Sequence, residues 1–98
     1  MKTDLDSALD AVVDEDSFVR FLSALAADRA DEVRKEKAAP SSPYGPGANG
    51  WENGSIEQFL DAASSWAESS RNGLPRYNRP DNPWKRCADI LFMGKIYE

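Results

Sequence analysis

Apolar residues recur at helical spacing in four segments of the chain. In the first segment, Leu5, Leu9 and Val12 follow the i, i+4, i+7 pattern of an amphipathic helix, with acidic residues between them. This pattern predicts a short N-terminal helix of about nine residues, which must pack against the rest of the chain because it is too short to be stable alone.

The second segment predicts a long helix over residues 16–37. Its apolar face comprises Phe18, Phe21, Leu22, Leu25 and Val33. The acidic residues at 14–16 and Ser17 supply an N-cap and negative charge for the positive end of the helix dipole. On the outer face, Glu32 and Glu36 are expected to form an exposed pair of like charge, which destabilises a helix slightly.

The third helix is predicted to begin after Ser55 and to end near Ser70. Ser55 and Gln58 have the spacing of a capping box, in which each side chain accepts a hydrogen bond from the other residue's backbone N–H. The residues expected to form its buried face are Ile56, Phe59, Leu60, Ala63 and Trp66 or Ala67.

The fourth helix is predicted over residues 83–98, with Asp81 or Asn82 as its N-cap and Pro83 at its first position. Its apolar side chains are Trp84, Cys87, Ala88, Ile90, Leu91, Phe92, Met93 and Ile96. Because these side chains cover most of the helix circumference, this helix is expected to be central and largely buried, with Trp84 in the core.

Residues 39–54 separate the second and third helices and are rich in proline and glycine, which excludes a continuous helix. This segment is predicted to be one long flexible loop, in which Trp51 packs at the start of the third helix. The expected fold is therefore all-α: a small bundle of three main helices plus a short N-terminal helix, forming a single domain over residues 1–98.

Composition and charge narrow the classes of function. The 98-residue chain has a net charge of −5, which disfavours general nucleic-acid binding, although residues 71–98 carry +3. No segment has the apolar length of a signal peptide or a membrane span, and a single cysteine cannot form an internal disulfide. A cytoplasmic protein is the expectation from these features.

The residue types of most active sites are missing from the sequence. The absence of histidine removes the commonest general base and the Ser-His and Cys-His nucleophile pairs. Asp4-x-Asp6 lacks the later ligands of a calcium loop, and Gly45-Pro46-Gly47 lacks the rest of a phosphate-binding loop. Cys87 is expected to be a buried structural thiol. We therefore predict a protein that is not an enzyme and holds no metal or cofactor.

Two segments are candidates for partner binding. Arg71, Arg76, Tyr77 and Arg79, together with Lys85 and Arg86, form a basic cluster that could bind an anion or an acidic protein. The alternative interpretation is that these bases neutralise the acidic N-terminal segment of the same chain.

The second candidate is Tyr44, which lies in the 39–54 loop among three prolines and could be an exposed contact for a partner. The alternative is that this segment is simply a mobile linker.

The stretch from Trp51 to Leu60, Trp66, Pro83-Trp84 and the closing Tyr97-Glu98 resembles a family of small bacterial helical domains of unknown function, marked by a W-x-N-x-[ST] helix start. The resemblance implies a helical domain and supplies no functional residue.

The expected function is a non-catalytic protein-binding module, of which an immunity or inhibitor-like protein is one form. The alternative is a regulator that binds a small ligand or nucleic acid through residues 71–86.

Overall fold

The computed structural model describes residues 4–98, which form four α-helices. These are α1 (Asp4–Asp10), α2 (Glu15–Ala38), α3 (Ile56–Ser69) and α4 (Pro83–Ile96). The described residues contain no strand beyond one isolated bridge between Leu74 and Tyr77. The predicted all-α bundle of three main helices and a short N-terminal helix is confirmed.

Each long helix begins at a residue whose side chain accepts hydrogen bonds from the first helical turn. Asp14 caps α2 in a capping box with Ser17, Ser55 caps α3 by accepting from Gln58 N, and Asn82 caps α4 ahead of Pro83. The Gln58 side chain accepts from Gly54 N rather than from Ser55 N, so the predicted capping box of α3 is complete on one side only.

α4 is the central helix, since it packs against α1, α2 and α3. At Gly94 the missing side chain lets the backbone of α4 lie against Phe59 of α3. α2 and α3 both pack against α4 but not against each other.

Two residues of α4 that were expected to be buried are exposed to solvent. Cys87, expected to be a buried thiol, is exposed. Trp84, expected in the core, is partly exposed and stacks at its edge on Phe18 of α2, with ring centroids 5.5 Å apart. α4 is central but not largely buried.

The buried core is formed by residues from α1, α2, α4 and the loops between them. The apolar members of the central cluster are Leu5, Val12, Phe21, Leu25, Trp51 and Ala88. Ala62, Ala63 and Trp66 are the buried apolar residues of α3. Leu5 and Val12 show that the N-terminal segment does pack against the bundle, although Val12 lies beyond the end of α1.

Several residues predicted to be buried are exposed instead. Leu22 is 38% exposed, Leu60 55% and Ile56 77%, and Val33 is also exposed. Helical spacing put them on apolar faces, but α2 and α3 each turn only part of that face towards α4. No helix among residues 4–98 has the length and apolar character needed to cross a membrane.

The contact at Gly94 provides a test of the α3–α4 packing. An added Cβ would lie 2.9 Å from Phe59 Cε1 and 3.0 Å from the Phe59 carbonyl oxygen. Gly94→Ala should therefore lower the free energy of unfolding by about 1–3 kcal/mol, although the same change in an open helix adds about 1 kcal/mol.

Gly45→Ala is the control, because a Cβ at Gly45 meets nothing within 4 Å. Its unfolding free energy, measured by denaturant titration, should change by less than about 1 kcal/mol. A Gly94→Ala protein that is more stable than the wild type would show that α3 and α4 are not in this contact.

Candidate functional site

Tyr44 is the most exposed large side chain of the 39–54 loop, at 97% exposure. Its backbone N–H donates to Ser42 Oγ, so the tyrosine sits on a local turn. It lies apart from the basic cluster along the chain, and its role as a partner contact stays a prediction.

Tyr77 is turned inwards rather than towards solvent. Its ring meets Trp66 edge-on at 4.8 Å between centroids, and its hydroxyl donates to Asp89 at 2.7 Å. Burial raises the pKa of the Tyr77 phenol, and the hydrogen bond to Asp89 raises the pKa further. Through these two contacts Tyr77 holds the loop between α3 and α4 against both helices.

Arg86 and Lys85, also counted in the basic cluster, have local partners. Arg86 is buried and donates to Ser70 Oγ and to the Ala67 carbonyl, which neutralises the C-terminal end of α3. Lys85 pairs with Asp89 one turn along α4. These two bases stabilise the bundle itself.

Arg71, Arg76 and Arg79 are the exposed arginines of the cluster. Arg79 Nη1 donates to the Arg71 carbonyl at 2.5 Å, and Arg71 lies 3.7 Å from Glu68. Arg76 makes no hydrogen bond or ion pair with any residue in the range 4–98. We call residues 71–79 the arginine turn.

A mostly apolar concavity lies elsewhere, between α2 and the start of α3. This α2–α3 groove encloses about 300 Å³ and is lined by Leu22, Leu25, Ala26, Arg29, Trp51, Asn53, Gly54, Ser55, Ile56 and Phe59. It lies where the backbones of α2 and α3 stay apart from each other. Arg29 is the only charged residue in the lining.

Both walls of the α2–α3 groove continue into exposed apolar residues. On α2, Val19, Leu22 and Ala26 follow the i, i+3, i+7 spacing of one helix face, turned away from the buried Phe21. On α3, Ile56 is followed one turn later by Leu60. An exposed apolar surface of this kind, placed in a concavity, is typical of a binding site.

The floor of the groove depends on a row of three carboxylates along α2. Asp28, Glu32 and Glu36 are spaced four residues apart and therefore share one face of the helix. Glu32 is only 2% exposed, which corrects its expected position in an exposed like-charge pair. Each carboxylate of this row accepts hydrogen bonds from the 39–54 loop.

Glu32 makes the central contacts of the row. Its Oε1 accepts from Asn49 N at 3.0 Å and from Trp51 N at 3.1 Å, while its Oε2 accepts from Arg29 at 2.7 Å. Gly47 packs so closely on this carboxylate that a Cβ there would lie 2.3 Å from Oε1. The charge is buried, but it is fully hydrogen-bonded and paired.

Neighbouring carboxylates hold the rest of the loop against α2. Glu36 accepts from Ser41 and from Ala48 N, and these hydrogen bonds, Ser41 first, lower the pKa of Glu36. The Asn49 side chain donates to Asp31, which lowers the pKa of that carboxyl in the same way. The hydrogen bonds to α2 involve residues within the range 41–51. They do not measure motion, so the flexibility of the loop stays a prediction.

Trp51 connects α2, the loop and α4. Its indole N–H donates to Asp28 Oδ2 at 2.8 Å, and the same oxygen accepts from Lys95 Nζ at 2.7 Å. Arg29 and Lys95 lie 5.5 and 5.7 Å from the Trp51 ring centroid, a distance at which a cation is attracted by the ring. The prediction that Trp51 packs near the start of α3 fits its contact with Phe59.

Asn53 attaches the loop to the end of α4. Its side-chain amide donates to the carbonyls of Gly94 and Tyr97, each at 2.9 Å, and Glu52 N donates to the Lys95 carbonyl. The residues of the Trp51-x-Asn53-x-Ser55 pattern therefore have three separate tasks. Trp51 contacts α2, Asn53 contacts α4, and Ser55 caps α3.

Sequence reasoning missed both the groove and the carboxylate row. The row has a recognisable signal, since acids at i, i+4 and i+8 face a proline- and glycine-rich segment that has many unpaired N–H groups. Within residues 4–98, no three His, Cys, Asp or Glu side chains are placed to hold a metal ion.

The chain belongs to a family of unknown function (DUF7660), whose sequence pattern matches residues 14–98. The match begins at the N-cap of α2, so α1 lies outside it. Membership of a family of unknown function, predicted from the resemblance, is confirmed. Neither the curated proteins nor the solved structures include a match to this chain.

Replacing Glu32 tests whether its buried carboxylate holds the loop. Glu32→Ala leaves Arg29 without its ion-pair partner and the N–H groups of Asn49 and Trp51 without an acceptor. We expect the free energy of unfolding to fall by about 3–5 kcal/mol in a denaturant titration.

Glu68→Ala is the matched control, because Glu68 is exposed and its pair with Arg71 is long. Its unfolding free energy should change by less than about 0.5 kcal/mol. A Glu32→Ala protein as stable as this control would contradict the assigned role.

Proposed function

We propose that this member of a family of unknown function is a non-catalytic protein-binding module, and that its α2–α3 groove receives an amphipathic helix of another protein. The observation that carries the proposal is the apolar lining left open between α2 and α3. Leu22 and Ile56 are exposed in this lining, although each belongs to a helix face with the spacing of a core stripe.

A helix fits the dimensions of the groove. α2 and α3 each pack against α4 but not against each other. From Leu22 to Arg29 the α2 wall of the groove extends about 10 Å, the length of roughly two helical turns. Helices that lie in such grooves present apolar residues at i, i+3 or i+4, and i+7.

The concave shape favours a partner helix over a second copy of this chain. A two-fold contact would bring groove against groove, which leaves both concavities unfilled. The charge of the groove lining further restricts the kind of helix that can bind. Because Arg29 is the only charged residue of the lining, an acidic side chain at one end of the partner helix would complement it.

The remaining parts of the proposal rest on sequence. The absence of histidine supports a non-catalytic role, and an immunity or inhibitor-like protein of the bacterial cytoplasm is the form we propose. A regulator that binds a small ligand or nucleic acid is the alternative, and it would use the arginine turn instead of the groove.

The proposal can be tested with a displayed library of short amphipathic helices, selected on the full chain. Selected peptides should share apolar residues at i, i+3 or i+4, and i+7, with an acid at one end. Ile56→Glu should weaken their binding, measured by fluorescence anisotropy, at least tenfold, because Ile56 lines the groove and the change places a charge in an apolar site.

Val13→Glu is the matched control, since Val13 is an exposed apolar residue outside the groove lining. It should leave affinity unchanged, and both variants should unfold at the wild-type denaturant concentration. Selected peptides that bind Ile56→Glu as tightly as the wild type would contradict the proposal. A dimer that dissociates on Ile56→Glu in sedimentation experiments would assign the groove to a second copy instead.

A further inference from the structure

The arginine turn has a defined backbone conformation. Leu74 and Tyr77 exchange two backbone hydrogen bonds, each 3.0 Å long, so that Pro75 and Arg76 lie at the tip of a tight turn. Gly73 precedes the turn with a φ of +85°, which residues with a side chain rarely adopt. Its N–H donates to the Ser70 carbonyl and connects the turn to the end of α3.

Side-chain contacts also hold the arginine turn against the helices. Tyr77 packs on Trp66 and donates to Asp89, and Arg79 donates to the Arg71 carbonyl across the base of the turn. A ligand that contacts the arginines would therefore meet a surface whose backbone is already ordered. Less conformational entropy is lost on binding to such a surface than to a flexible loop.

Charge is concentrated in this turn. Residues 71–79 carry three arginines and no acid, a charge of +3, whereas the rest of the chain carries −8. Arg86 and Lys85 are bonded within the bundle, but Arg71 has only a long, exposed pair with Glu68 and Arg76 has no partner among the described residues. The alternative, that these bases neutralise acids of the same chain, does not account for Arg76.

The turn also encloses an open concavity of about 570 Å³ that has no acidic residue in its lining. Arg71 and Arg79 lie on its edge, together with the side-chain amides of Asn72 and Asn78. All four side chains carry N–H donors, and guanidinium groups bind carboxylates through two parallel hydrogen bonds.

We propose that the arginine turn is a second binding site, separate from the α2–α3 groove, and that it takes a carboxylate-rich segment of a partner protein. A short acidic segment can contact the turn alone. A nucleic acid long enough to pass beyond the turn would meet the net −8 charge of the remaining chain, which opposes its binding.

The test uses the full chain and a fluorescein-labelled octaglutamate peptide, followed by fluorescence anisotropy at low salt. The peptide should bind the wild type, and the double variant Arg76→Glu/Arg79→Glu should weaken binding at least tenfold. Arg76→Lys/Arg79→Lys should lose less, because it keeps the charge and removes only the paired hydrogen bonds.

Arg34→Glu/Lys37→Glu is the control, since it makes the same change in net charge on the last turns of α2. It should keep most of the affinity, and all variants should retain the helical circular dichroism of the wild type. An octathymidylate strand should bind more weakly than the peptide. The proposal is overturned if the peptide does not bind below about 1 mM, if both Glu variants lose affinity equally, or if the oligonucleotide binds more tightly.

Discussion

The buried carboxylate of Glu32 is the interaction on which most of this structure depends. It accepts two backbone hydrogen bonds from the loop between α2 and α3 and pairs with Arg29, so that a segment without secondary structure of its own is held against α2. A buried charge is costly unless all its bonds are made. Here the loop amides and the guanidinium make them, and the cost of burying Glu32 is offset only when the loop is in place.

The position of the loop then determines the position of the other elements. Trp51 donates its own N–H to Glu32 and shares Asp28 with Lys95 of α4. Asn53 binds the last turn of α4, and Ser55 caps the start of α3. α3 is thereby directed onto α4 at Gly94 and away from α2. The α2–α3 groove is a consequence of this arrangement, and Trp51 and Arg29 contribute both to the loop contacts and to the groove lining.

Features that depend on neighbouring residues in sequence could be predicted, and those that depend on packing could not. The N-caps Asp14, Ser55 and Asn82 act within one helical turn, so composition and spacing suffice to find them. Helical spacing also identifies Leu22 and Ile56 as members of apolar faces, but it cannot say which part of a face another helix covers. For the same reason Cys87 and Trp84 were wrongly placed in the core, and Glu32 was wrongly placed at the surface.

The central claim, that α2 carboxylates hold the loop in place, is tested most directly by amide hydrogen exchange at Asn49 and Trp51. Both N–H groups donate to Glu32 Oε1. If the loop is released only with the bundle, these amides should exchange at rates close to those of core amides such as Phe21. Exchange of both amides at the rate of an unstructured peptide, while Phe21 stays protected, would contradict the claim.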